Sequence, residues 1–455
     1  MLEWIGLIGL FFGLGLLILL ALRDVNIIFA SVLCALVVII TNGLPIAESI
    51  TQSYTVGELG AFTFAGRFFL LFAAGAVFGK IMGDSHAATS IAMALVRSLG
   101  AHRALWITVL ACALLTYGGV VVFVVIFAMY PLGLRLFKEA DIPKRLFCGA
   151  IALGAGTFTL TALPGTPSIH NVIPTLTLGT DLFAAPLLGL FGGALMFVMG
   201  MAYLERERVK AKAAGEGFEP GPRDVIPDYS EIEKDVPSPV LAILPLVLVI
   251  ATILAPRLAE MAGLGAQGGL VEFAVSQPIL WPSIALMFAS VVAIVLFPAM
   301  RRAPLQTMGL GTQDAIMPLM ATSAVIGFGG VVAQTQGFSM FTDFVLGSDL
   351  PPHLSMFAAA STVSGITGSS SGGLQIFMAT MAEPFLALGI SPEQLHRLAA
   401  MASGGLDSLP HCGAVIAMLT ITQLTHKQAY KEVGVVTVVV PIIATLCTIL
   451  VAMMI

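Results

Sequence analysis

Apolar segments long enough to cross a lipid bilayer follow one another along almost the whole chain. A membrane-spanning helix needs about 20 mostly apolar residues, and segments of this kind start with residues 5–22 and continue nearly to the last residue. The first segment follows Glu3 rather than a basic stretch and precedes no small-residue cleavage site. We therefore expect a retained helix instead of a removable signal peptide. The pattern predicts an all-α polytopic membrane protein.

One glycine-interrupted pattern occurs twice, at a fixed offset of 254 positions. The stretch that begins at Gly75 recurs at Gly329, and the stretch that begins at Tyr117 recurs at Ser371. Internal repeats with interrupted helices are typical of transporters that bind their substrate between the repeats. The sequence therefore predicts two repeats with a binding site between them.

Composition supports a membrane protein and offers no sign of a cofactor. The chain of 455 residues is 58% hydrophobic and 10% charged, with a mean hydropathy of +0.98, which leaves too little polar surface for a water-soluble globule. The cysteines are scattered singly without metal-ligand spacing, so we expect apolar packing residues, no bound metal and no cofactor. We expect lipid as the surroundings and no nucleic-acid partner. These cysteines are Cys34, Cys112, Cys148, Cys412 and Cys447.

A polar stretch of mixed charge and no apolar periodicity divides the chain into two halves. It predicts a first inverted repeat over residues 1–205, a cytoplasmic linker over 206–237 and a second inverted repeat over 238–455. Each half contains five predicted transmembrane helices, one of them broken, and one re-entrant hairpin. Because five is odd, the second half enters the membrane in the opposite orientation, which gives ten crossings in all.

The distribution of basic residues supports this topology. With a cytoplasmic linker, all of the 21 Lys and Arg residues except Arg67, Arg257 and Arg397 fall on the inner side. This is the positive-inside bias of a multi-pass protein in a bacterial inner membrane, and it predicts that both termini are external. Arg67 lies inside a predicted span, where we expect it to snorkel outward or pair with a helix end rather than meet an anion.

Two segments are too long and too interrupted to be simple helices. Residues 145–179 and 393–425 each exceed the length of one span, and the runs 163–168 and 403–410 interrupt them with Pro and Gly. Such breaks survive in lipid only when they are buried in protein or line an aqueous cavity. We predict two broken helices, flanked by hairpins over about residues 102–136 and 351–387.

The breaks and the hairpin tips form the predicted substrate site. Half-helix N-termini suit a carboxylate, C-terminal carbonyls suit a cation, and the tips add hydroxyls and glycines that allow close approach. The candidate substrate-binding residues are Thr116, Tyr117, Gly118, Gly119, Gly165, Thr166, Ser168, His170, Asn171, Ser369, Ser370, Ser371, Gly372, Ser403, Gly404, Ser408 and His411. The candidates for proton coupling are Asp407 and His411.

Each of these candidates has a structural alternative. Asp407 is costly in mid-membrane and suits a proton carrier, but it would equally suit the cap of the second half-helix. His170 and His411 occupy similar places in the two breaks and would bind a carboxylate, relay a proton or merely hydrogen-bond within the fold. The serines at 369–371 favour a ligand loop over close helix packing, because three hydroxyls before two glycines exceed what packing requires.

Three runs of the sequence resemble the gluconate permease family of the ion transporter superfamily. They are Ala162-Leu-Pro-Gly-Thr-Pro-Ser168, Ala402-Ser-Gly-Gly-Leu-Asp-Ser-Leu-Pro-His-Cys-Gly-Ala414 and Leu424-Thr-His-Lys-Gln-Ala-Tyr430. The resemblance implies an elevator-type carrier, often dimeric, with a scaffold part and a moving part made of the hairpins and broken helices. It also implies proton-coupled uptake of small hydroxy-carboxylates.

Departures from the family pattern change the expected substrate. Gluconate-transporting members usually show a Phe-Phe-acid element at the first hairpin and a Pro-Pro-His-Pro type of break, but this chain has residues 116–119 and 163–167 there. We expect a shorter, less hydroxylated anion such as 3-hydroxybutyrate, carried by a homodimer with protons. The alternatives are a gluconate or other sugar-acid proton symporter, a sodium-coupled carboxylate symporter, and, from other classes, a channel or an intramembrane enzyme.

Overall fold

All regular structure in the described part of the chain is helical. The computed structural model describes residues 2–23, 25–120, 122–222, 224, 226, 236–263 and 269–455. The helices of the first half are α1 Leu2–Leu22, α2 Ile27–Thr41, α3 Ile46–Glu48, α4 Ala61–Asp84, α5 Ala87–Leu99, α6 Ala104–Tyr117, α7 Val122–Glu139, α8 Lys144–Gly156, α9 Phe158–Thr161, α10 Ile169–Leu178 and α11 Pro186–Ala213.

The second half has a similar order of elements. Its helices are α12 Pro239–Met261, α13 Leu270–Ser276, α14 Leu280–Leu296, α15 Pro304–Val332, α16 Gln336–Leu346, α17 Pro352–Thr367, α18 Ser370–Thr380, α19 Ala382–Ala387, α20 Pro392–Ser403, α21 Gly413–Thr422, α22 His426–Gly434 and α23 Val440–Ala452. The pairs α6–α7 and α17–α18 form the two hairpins. That the halves are inverted repeats stays a prediction.

Fewer helices than the ten predicted crossings are long and apolar enough to span a membrane by themselves. Five in the described residues meet that test, and two bent pairs raise the number to seven. The shorter apolar helices Ile8–Leu20 and Ile27–Thr41 occupy the places of two other predicted crossings, so the count of ten stays a prediction. The five are Ile46–Asp84, Pro186–Ala213, Pro239–Met261, Pro304–Val332 and His426–Ala452.

Close helix packing joins the two halves. Helices α4 and α15 run antiparallel, because Gly311 lies against Val77 and Gly327 lies against Ala61. A Cβ atom at Gly327 would come within 2.6 Å of the Tyr54 carbonyl oxygen, so only glycine permits this approach. Further along the chain, α10 packs on α18 and α20, and α22 packs on α8. The elements of the two predicted breaks are therefore neighbours.

The helices that surround the breaks end where the sequence predicts interruptions. The structure shows one further interruption that was not predicted. Helix α10 begins at Ile169, after the 163–168 run, and α21 begins at Gly413, bent by 53° from the segment that precedes it. The first segment is also interrupted at Thr157, whose φ of −124° and ψ of −103° separate α8 from α9. No proline marks this second interruption, and the sequence did not predict it.

The predicted linker begins too early and is not fully solvated. Residues 206–213 belong to α11, which ion pairs one turn apart stabilise, as between Glu207 and Lys210. Beyond the helix, Glu216 pairs with Arg145, and Asp224 pairs with Lys144. These acids find cations at the start of α8, which docks the segment on the protein. The remainder of the predicted linker, at residues 223, 225 and 227–235, lies outside the described residues.

Candidate functional site

One cavity of about 310 Å³ lies where the two breaks and the two hairpin tips meet. The first residue of each of four helices lines it: Val122 of α7, Ile169 of α10, Ser370 of α18 and Gly413 of α21. Each of these helices has at least ten residues. Helix N-termini carry partial positive charge and free N–H groups, so the cavity presents four such ends to a bound anion.

The structure brings many of the predicted site residues together around this cavity. Both breaks and both hairpin tips contribute lining residues. The predicted residues that line the cavity are Thr116, Gly119, Ser168, His170, Ser369, Ser370, Ser371, Asp407, Ser408 and His411.

Other predicted residues do not line the cavity and contact neighbouring parts of the protein instead. The Tyr117 hydroxyl donates to the Pro164 carbonyl at 3.0 Å, and the Ser403 hydroxyl donates to Ala400. Glycines fit against neighbouring side chains, as Gly165 does against the Phe183 ring. The predicted residues that are not among the described lining residues are Tyr117, Gly118, Gly165, Thr166, Asn171, Gly372, Ser403 and Gly404.

Asp407 lies in the second break, on the cavity wall, with 8% of its surface exposed. The Ser408 hydroxyl donates to its Oδ1 atom at 3.2 Å, and the hydroxyl and backbone amide of Ser370 interact with the carboxylate as well. The capping alternative is wrong for α21, because that helix begins at Gly413 with Cys412 at its N-cap. Asp407 is therefore a buried carboxylate held by two hydroxyls.

The two histidines of the breaks face the second hairpin tip. His170 Nε2 lies 2.8 Å from the Ser370 hydroxyl, while its buried Nδ1 has no hydrogen-bond partner among the described residues. His411 Nε2 donates to the Gly365 carbonyl at 3.1 Å. Ser370 thus stands between the histidine of one break and the carboxylate of the other.

The serine cluster both lines the cavity and shapes its helix. Ser369 is the N-cap of α18, and its hydroxyl accepts from the Gly372 amide at 3.2 Å. The Ser369 and Ser371 hydroxyls lie 3.4 Å apart. Ser369 therefore both caps a helix and lines the cavity.

The rest of the wall is mostly apolar, and sequence analysis missed part of it. Thr322, Thr367 and Thr437 line the cavity beside side chains such as Phe72 and Leu286. Thr367 is the first residue of the predicted second hairpin tip, although it is not among the candidate residues; the other two lie on distant helices with no local signal. Arg67 is exposed and does not line the cavity, and none of the described lining residues is Lys or Arg.

Known proteins resemble this chain along nearly all of its length. The family model described as GntP family permease matches residues 5–455. The uncharacterized transporter YxjC of Bacillus subtilis is 39% identical over 459 residues, which are 95% of this chain and 96% of YxjC. A gluconate permease of Pseudomonas aeruginosa is 34% identical over 101 residues, or 22% of each chain.

A solved structure shares the fold. The superposition on the YdaH transporter of Alcanivorax borkumensis covers 86% of this chain and 86% of YdaH, with a TM-score of 0.55 and 14% sequence identity. The predicted all-helical polytopic membrane fold is therefore confirmed. The relatives are transporters, which confirms that the chain is no enzyme and excludes the alternative of an intramembrane enzyme. From these matches, the chain belongs to the GntP family of permeases and is a multi-pass membrane transporter.

Proposed function

We propose that this permease is a secondary active transporter that imports a small hydroxy-monocarboxylate similar to 3-hydroxybutyrate, together with protons, by alternating access. The observation that carries the proposal is the convergence of four helix N-termini on one cavity. A carboxylate bound there would meet partial positive charge and backbone N–H donors. Because the described lining residues include no Lys or Arg, these helix ends are the main attraction for an anion, with His170 and His411 beside them.

Protons are the coupling ion that the cavity favours. Asp407 is a carboxylate in mid-membrane, and its charge would repel a substrate anion bound beside it. Protonation removes that repulsion, so proton and anion would bind together and leave together. Sodium is the second candidate, because carbonyls freed at the breaks and hydroxyls such as that of Ser371 suit it.

The wall favours a substrate with few hydroxyl groups. Several lining hydroxyls already donate to carbonyl oxygens within the protein, as Thr116 does to Cys112, Ser168 to Leu160 and Thr437 to Val433. They have no second proton to offer a polyol. Gluconate or another sugar acid remains the second candidate substrate, and the similarity to a gluconate permease of P. aeruginosa supports it.

The proposal includes the architecture that the family resemblance implies. Two inverted repeats would form a scaffold part and a moving part that carries both hairpins and both broken helices as an elevator. The carrier would be a homodimer in the bacterial inner membrane with external termini. The distribution of Lys and Arg supports this orientation.

Uptake by proteoliposomes under separate proton and sodium gradients tests the proposal. Purified protein would be given labelled 3-hydroxybutyrate, lactate, gluconate or acetate, with counterflow as a check on exchange without a gradient. We expect saturable uptake of the short hydroxy acids under a proton gradient alone. Uptake driven only by sodium, a preference for gluconate, or flux that does not saturate would contradict the coupling ion, the substrate or the carrier mechanism, respectively.

A further inference from the structure

Arg397 is a fully buried cation on α20, two turns before the second break, and it points at the first broken helix. Its exposed surface is 0%. The guanidinium donates to Asn171 Oδ1 at 2.6 Å, to the Ala184 carbonyl at 3.1 Å and to the Leu182 carbonyl at 3.3 Å. All three acceptors are neutral. A buried charge of this kind is costly in a membrane protein and usually serves function.

Asn171 connects Arg397 to the backbone of the first break. Its side-chain amide donates to the carbonyls of Leu163 and Thr166, both at 3.1 Å. These carbonyls have left the helical hydrogen-bond pattern because the chain is broken there. The amide oxygen of Asn171 then remains free to accept from Arg397. One side chain thus joins the irregular backbone of one broken helix to a cation of the other.

We propose that Arg397 is a positioning residue for substrate binding, which acts through Asn171 to hold the first break, and with it Ser168 and His170, in register with the second broken helix. The inference rests on the proposed function, because Ser168 and His170 line the proposed substrate cavity. Arginine suits the task better than lysine, because its planar fork of donors can serve three acceptors at once.

The neighbouring His396 provides a matched control. It is also fully buried, and its Nδ1 atom lies 2.7 Å from the Thr180 hydroxyl, in the same loop that contains Leu182 and Ala184. Its hydrogen bond in the described part of the chain is therefore to the loop, and not to Asn171 or to the backbone of the break. Replacement by leucine removes a loop contact of comparable burial and leaves the proposed connection intact.

The test compares Arg397→Lys, Asn171→Asp and His396→Leu in purified protein. Arg397→Lys keeps the charge but loses the fork, and Asn171→Asp keeps an oxygen for Arg397 but loses the N–H donors to the break. We expect both to raise the KM for uptake by about tenfold or more, a loss of about 1.4 kcal/mol in apparent affinity, with a smaller change in kcat. His396→Leu should leave the KM within about twofold.

Hydrogen exchange supplies a readout that needs no substrate. Backbone amides of residues 162–171 should exchange faster in Arg397→Lys and Asn171→Asp than in the wild type or His396→Leu. Unchanged exchange in both variants, or an equal KM rise in His396→Leu, would overturn the inference. Should Arg397→Lys not fold, Asn171→Asp carries the test alone. Failure of the wild type to take up any hydroxy acid would count against the proposed function, and exchange would still decide the role of Arg397.

Discussion

At the scale of single residues, charge is scarce around the cavity and each charged group has a distinct place. Of the described lining residues, Asp407 alone carries a carboxylate. Ser370 interacts with it and with His170, so the two breaks share one hydroxyl. Arg397 remains behind the wall, where it contacts backbone and Asn171 rather than the cavity.

Replacement of Asp407 by asparagine should separate transport from its driving force. Without a group to protonate, uptake driven by a proton gradient should fall by about tenfold or more, while counterflow at equal pH should persist, because the helix ends that attract the anion are unchanged. Paired assays on the same proteoliposomes measure both. Loss of counterflow to the same extent as driven uptake would instead make Asp407 part of the substrate site or of the fold.

Gly373 should not tolerate even alanine. A Cβ atom there would lie 2.3 Å from the Ser364 Cα and 2.6 Å from its backbone nitrogen, so the arms of the second hairpin could not approach. We expect Gly373→Ala to destabilise the protein by about 1–3 kcal/mol or more, measured as thermal unfolding in detergent. Gly66→Ala is the control, since a Cβ atom there would meet nothing within 4 Å. Equal melting temperatures for the two variants would contradict the hairpin packing described above.

At the scale of elements, the segment after α11 contacts both broken helices through one side chain, Asp224. Asp224 has no exposed side-chain surface and accepts from Lys144 at the start of α8, from Tyr130 of α7 and from Gln423 at the end of α21. One carboxylate therefore contacts the first hairpin and both broken helices. The contacts of Asp224 are therefore one connection between the two broken helices. The hydrogen bond between Arg397 and Asn171 is a second one.

We expect Asp224 to make the free energy of unfolding depend on pH. Burial raises the pKa of Asp224, but hydrogen bonds from Lys144 and Tyr130 lower it, and the pKa lies below its ordinary value of 3.8. The carboxylate therefore stabilises the fold above its unfolded-state pKa, and this contribution is lost as the pH falls through the lower folded-state value.

Asp224→Asn should cost about 3 kcal/mol near neutral pH, because it leaves Lys144 buried without its partner. The difference from the wild type should shrink below about pH 4. Unfolding as a function of pH measures it, with the exposed Glu219→Gln as control. A difference that stays constant down to acid pH would contradict the assigned ion pair.

Some of this arrangement was readable in the sequence and some was not. Pro164, Pro167 and Pro410 lie in segments too long for one span, so each segment is expected to be a broken helix. Because lipid cannot hydrogen-bond the freed backbone groups, such breaks must be buried in protein or line an aqueous cavity. The helices end near these positions, and the tips and breaks share one cavity. The Arg397 contacts escape such reasoning, since its partners lie 213 to 226 positions away. The docking of Asp224 likewise depends on tertiary contacts.

At the scale of the whole molecule, the cavity extends along α8 and α21 toward the end of the protein at which α8 begins. Helix α8 begins at Lys144, and its lining residue nearest that end is Ile151. Helix α21 lines the cavity from Gly413 to Met418. On the other side, α10 contributes only its first two residues, and α20 contributes none of the described lining residues. The extended side is the one at which α8 begins with Lys144 and Arg145, and the predicted topology assigns this side to the cytoplasm. This conformation is therefore expected to be the inward-facing one.

Cysteine labelling tests that direction. In a background with the native cysteines replaced, Ala414→Cys should react with a membrane-impermeant maleimide in inside-out vesicles, because Ala414 lines the extended side of the cavity. Val172→Cys should resist, since Val172 on α10 is fully buried. Faster labelling of Ala414→Cys from the external side than from the cytoplasmic side would reverse the assignment.

The most direct measurement is a structure of the purified permease at acid pH with saturating 3-hydroxybutyrate. We expect ligand density inside the cavity, with the carboxylate at the N-termini of α10, α18 and α21 and within reach of Ser370 and His170. An empty cavity, with the ligand bound elsewhere or unbroken helices in place of the two breaks, would contradict the proposed substrate site.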